Sequence, residues 1–85
     1  PVDPQRLRRQ FPALTDDDVA AYAEVTRRIL AAPPAERARV TREVIQQGRA
    51  TRARGGPPEA GSSEDALAVR YLSAVEKMQG GRDPG

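Results

Sequence analysis

The sequence predicts an all-α fold: a small three-helix bundle with a short N-terminal helical arm. Three observations carry this reading. Apolar residues recur at helical spacing over three long stretches, capping side chains stand ahead of two of them, and proline or glycine pairs separate them. At 85 residues the chain holds one domain at most, with a thin core.

The N-terminal arm spans residues 1–14. Asp3 stands before Pro4, a good N-cap ahead of a residue suited to the first helical position. A short helix from Pro4 to about Gln10 follows, and Pro12 stops it because the residue before a proline is pushed out of the helical region. Leu7, Phe11 and Leu14 are placed to dock this arm onto the body.

The bundle is expected over residues 15–79. Thr15 and Asp18 form a capping box, Leu14 can staple against Val19, and Asp16, Asp17 and Asp18 complement the positive end of a helix over 16–31. Val19, Tyr22, Ala23, Thr26, Ile29 and Leu30 form its apolar stripe, with Val25 at the edge and Glu24, Arg27 and Arg28 opposite. Pro33-Pro34 breaks the chain and restarts it, and a turn this short predicts close packing of the helices on either side. The next helix, 34–54, has a thinner stripe of Ala38, Val40, Thr41, Val44, Ile45 and Gly48, and Gly55-Gly56 end it. Residues 55–62 read as a flexible linker.

Ser62 and Asp65 form a second capping box before the last helix, 63–79. Leu67, Ala68, Tyr71, Leu72, Ala74, Val75 and Met78 share one side of it, and Asp65, Arg70, Ser73, Glu76 and Lys77 the other. Gly80-Gly81 are expected to stop it, leaving 80–85 as a flexible tail.

Composition removes most chemistry. There is no cysteine and no histidine, hence no disulfide, thiolate zinc site or cysteine nucleophile, and neither the commonest general acid–base group nor the commonest metal ligand. Consecutive helical residues diverge by about 100°, so Asp16, Asp17 and Asp18 cannot converge on one ion. The glutamates 24, 43, 64 and 76 lie on polar faces with no evident cause for a shifted pKa. No catalytic residue, metal or cofactor is expected. No apolar run spans a bilayer, and the opening "PVDPQRLRRQ" is no secretory signal, so a cytoplasmic protein is expected. Thirteen of the fourteen basic residues are arginine, a bias expected of a GC-rich bacterial genome.

The charge is uneven. The net is +2, but residues 36–54 alone carry +4. On a helical wheel Arg39, Arg42 and Arg49 fall along one flank, which could track phosphates. Arg52 falls on the line of Thr41 and Ile45, where a core residue belongs. Either the core-facing part of that helix ends near Gly48 or its last turns project past the bundle, with Arg52 exposed or meeting something acidic.

The reading reached from these residues is a non-enzymatic protein–protein interaction module, an accessory or regulatory subunit of a larger assembly. Its expected contacts are Leu7, Phe11, Tyr22, Tyr71, Arg39, Arg42, Arg49 and Arg52, with a protein partner or a second copy. Val25 and Val69, at or beyond the edges of their apolar faces, add to that expectation. The alternative is a small basic nucleic-acid-binding protein using the arginine-rich helix 36–54.

Overall fold

The computed structural model describes residues 2–56 and 63–81. Among these, α1 is Pro4–Gln10, α2 is Asp16–Ala31, α3 is Arg37–Ala53 and α4 is Ser63–Gly81, with a single 3-10 turn at Pro34–Glu36 leading into α3. The described residues form an all-α bundle with no strand. Most of the expected linker (57–62, with Ser62 of its capping box) and residues 82–85 of the expected tail lie outside the described residues.

Local chemistry sets the helix ends. Asp3 Oδ1 accepts from the backbone N–H groups of Gln5 and Arg6, at 3.1 and 3.3 Å, opening α1. At α2 the capping box is complete: Asp18 N–H donates to Thr15 Oγ1 at 3.1 Å, and Thr15 N–H to Asp18 Oδ2 at 3.0 Å. The three aspartates part company as the helical geometry requires, Asp16 to Arg8, Asp17 to Arg70 and Asp18 to Lys77. At the C-terminus of α3, Gly55 and Gly56 both take a φ of +98°. Gly55 N–H bonds to Arg52 O and Gly56 N–H to Thr51 O, a Schellman closure that the left-handed backbone of Gly55 makes possible. α4 runs through Gly80 and Gly81 rather than stopping before them.

The packing order differs from the expected one. α4 lies along both α2 and α3, whereas α2 and α3 touch each other little despite the short connection. α4 is antiparallel to α2, with Arg28–Glu64 pairing at one end and Asp18–Lys77 towards the other. It crosses α3, where Gln47 and Arg54 both reach Asp65 and Arg52 reaches Glu76. Turned by Pro33-Pro34, α3 leaves α2 and finds its apolar partner in α4. Arg37 seals the corner by donating to the carbonyls of Leu30 and Ala32, acceptors that the end of α2 leaves unpaired.

The buried faces are also rotated from the expected stripes. Val25, read as an edge residue, is 0% exposed and among the largest fully buried side chains, while Leu30 is 54% exposed. α2 turns Asp18, Ala21 and Val25 inward because α4 approaches from that side, and Val19 and Tyr22 meet the arm. Val69 of α4 is half-buried. On α3 the buried residues are Gly48 and Thr51, and Ala38 is exposed. The core-facing part of this helix therefore does not end at Gly48. A Cβ on Gly48 would lie 2.7 Å from the Ala68 carbonyl oxygen and 3.2 Å from Leu72 Cβ, so this glycine marks the tightest approach of α3 to α4.

Candidate docking cleft

The three aromatic residues of the chain are far apart in sequence and meet in one place. Phe11 caps the C-terminus of α1, Tyr22 lies on α2 and Tyr71 on α4, and all three line one cleft of about 270 Å³ with Val75, Met78 and Gln79. The rings of Tyr22 and Tyr71 stack at 5.9 Å between centroids with an interplanar angle of 15°. Such a pair contributes about 0.5–1.5 kcal/mol beyond its buried area.

Several contacts hold the cleft in shape. Leu14, Val19 and Ala74 form a buried cluster, and Leu7, Phe11, Tyr22 and Met78 pack against it. Phe11 N–H bonds to Leu7 O at 2.8 Å and Leu14 N–H to Phe11 O at 3.0 Å, which fixes the chain where it leaves α1. Lys77, beside Met78 in sequence, donates to the buried Asp18 at 2.6 Å and ties α4 to the start of α2. Burial pushes the Asp18 carboxyl up, but the hydrogen bonds from Lys77 and Thr15 outweigh it and hold the group below the usual range. Tyr71 is 6% exposed, and burial with the neighbouring Tyr22 raises its pKa. It stays protonated at neutral pH and presents the cleft with an uncharged ring.

Four of the residues singled out from sequence, Leu7, Phe11, Tyr22 and Tyr71, thus belong to one assembly. The four arginines do not join it as a group. Arg39 bridges Glu36 and Glu43, meeting the latter at 3.2 Å. Arg52 grips Glu76 of α4 with two hydrogen bonds of 2.9 and 2.7 Å, so the acidic group it meets belongs to its own chain. That pairing draws the Glu76 carboxyl down and raises Arg52. Arg42 and Arg49 lie exposed on α3 and make no ion pair among the described residues, although the charge of Arg49 helps to lower the Glu76 carboxyl. A further network joins Arg27 and Arg28 to Glu24, and Arg28 on to Glu64; it holds the Glu24 carboxyl at about 2.

Sequence reasoning missed Gln79, a polar residue at the cleft rim with no periodic signal. Val75 and Met78 carried one: they lie four and seven residues after Tyr71, hence on its helix face. No protein-family model matches the chain, and no curated protein or solved structure matches it either.

Proposed function

We propose that this chain is a cytoplasmic, non-enzymatic protein–protein interaction module, an accessory or regulatory subunit that docks a protein partner at the aromatic cleft. The convergence of Phe11, Tyr22 and Tyr71 supports it most: a thin-cored bundle leaves its entire aromatic complement lining one cleft. Aromatic anchors commonly dominate protein interfaces. The size argues the same way. At about 270 Å³ the cleft falls just below the ~300–1,000 Å³ usual for small-molecule sites and suits one large side chain of a partner.

The second reading, nucleic-acid binding through 36–54, has less behind it. Arg39, Arg52 and Arg54 pair with glutamate or aspartate of the same chain, and Arg37 is spent on backbone carbonyls. Only Arg42 and Arg49 remain on that helix to meet phosphates. The test uses wild-type chain and Gln79→Trp, which fills the cleft from an exposed position, as parallel baits in lysate of the native host, and follows the proteins that wild type retains. Loss of capture by the variant is expected; equal capture would refute the cleft. Mobility shift with DNA and RNA across a salt series supplies the other arm, where steep salt-dependent binding would favour the second reading.

A further inference from the structure

We infer that the cleft recognises an acidic protein segment, one that sets a large apolar side chain among Phe11, Tyr22 and Tyr71 and a carboxylate beside Arg6. The inference rests on the docking reading above and names its partner's chemistry.

Tyr22 lines a second hollow of about 180 Å³ along α1, together with Asp3, Arg6, Leu7 and Gln10. The two hollows share the Tyr22 ring, so an occupant can cross it from one to the other. Arg6 and Phe11 are five residues apart, and most of that step is helical, an axial rise of about 7.5 Å at about 1.5 Å per residue. A partner helix presents side chains one turn apart at a comparable spacing, about 5.4 Å, and anchors at such intervals are how helices seat in grooves.

Charge decides the class of partner. The acids around the cleft are occupied: Asp16 by Arg8, Asp17 by Arg70, Asp18 by Lys77 and Glu76 by Arg52. Asp3, in the Arg6 hollow itself, turns Oδ1 to the backbone of α1. Arg6 and Arg9 make no ion pair among the described residues. Arg9 sits in the last turn of α1, where the helix dipole accounts for it; Arg6 is the third residue of α1, in the first turn, where the dipole disfavours a cation and so does not account for it. The groove therefore offers a guanidinium without an ion pair among the described residues, with Asp3 held to the backbone of α1, next to an aromatic floor, the combination that a carboxylate beside an apolar anchor complements.

The test is phage display of a random peptide library on the immobilised full chain. The most enriched peptide is then titrated, fluorescein-labelled, against wild type, Arg6→Glu, Phe11→Ala and Gln79→Trp. Arg6 and Gln79 are exposed, so those two variants leave the core intact even if Phe11→Ala loosens the arm. Enriched peptides are expected to pair an aromatic residue or leucine with aspartate or glutamate within about one turn. Arg6→Glu should weaken binding about tenfold, and added salt should weaken it for wild type. Peptides without acids, or binding unchanged by Arg6→Glu, would overturn the acidic-partner inference while loss of binding in Gln79→Trp kept the cleft. Binding indifferent to both Gln79→Trp and Phe11→Ala, or no enrichment at all, would overturn both. Light scattering on the free chain separates a second copy as occupant: a dimer abolished by Gln79→Trp would also contradict the inference.

Discussion

Gly48 of α3 lies so close to Ala68 of α4 that a Cβ on Gly48 would stand 2.7 Å from the Ala68 carbonyl oxygen and 3.1 Å from its carbonyl carbon. The obstacle is backbone, so no side-chain rotation relieves it. Two helices with few large apolar residues between them gain contact by approaching closely. Thr51, 0% exposed one turn further along, continues the same seam.

Gly48→Ala should therefore destabilise the fold by about 1–3 kcal/mol, the usual cost of forcing a core contact. The sign is diagnostic, because helix propensity alone favours alanine over glycine by about 1 kcal/mol. Urea unfolding followed by circular dichroism measures it. A raised midpoint would mean that α3 and α4 do not cross at Gly48.

Val25 and Leu30 test the orientation of α2. Val25→Ala should cost about 1.5–3 kcal/mol, the value of burying a side chain of that size. Leu30→Ala, at a position 54% exposed, should change stability by no more than about 0.5 kcal/mol. The reverse ranking would restore the stripe read from periodicity alone.

The Asp18–Lys77 contact gives a pH dependence. The carboxyls of Asp18, Glu24, Glu64 and Glu76 all lie below their ordinary values, Glu24 at about 2 against 4.5. The unfolded chain then binds more protons than the folded one in this range. Stability is present in full above pH 4.5 and falls as the pH drops towards 2. Asp18→Asn should lower stability at neutral pH by about 1.5–3 kcal/mol, the worth of hydrogen bonds to a charged group, and make the acid limb shallower. Chemical denaturation at pH 7, 4 and 3 reads both effects.

Arg52 and Glu76 are about half exposed, so their pair should add little. A double-mutant cycle with Arg52→Ala and Glu76→Ala is expected to give a coupling of about 0.2–1 kcal/mol, diminishing in salt. A coupling of zero at low salt would mean that Arg52 is free for an outside partner.

Apart from the end of α4, which runs through Gly80 and Gly81, helix limits were legible because their causes are local. Thr15 with Asp18, Asp3 before Pro4, and Gly55-Gly56 each act within a few residues. The face each helix buries is set by neighbours, and there periodicity misled. An apolar stripe cannot tell Val25 from Leu30 when the arm and α4 compete for α2. It misread Gly48 as an end of packing because a glycine has no side chain to count and Thr51 looked polar, whereas Arg52, expected to be exposed or to meet something acidic, does meet Glu76. Leu7, Phe11, Tyr22 and Tyr71 stood out as candidates, but their meeting depends on α4 passing between α2 and α3. Nothing in the sequence separated Arg6 from the other arginines.

Photocrosslinking from the cleft rim tests the central claim most directly. p-Benzoylphenylalanine replaces Gln79 in one version of the full chain and Arg42, exposed on α3, in another, and each is irradiated in the native host. The expected result is a discrete protein adduct from position 79 and none from position 42. Adducts from position 42 alone, to protein or to nucleic acid, would contradict the assignment of the aromatic cleft as the docking site.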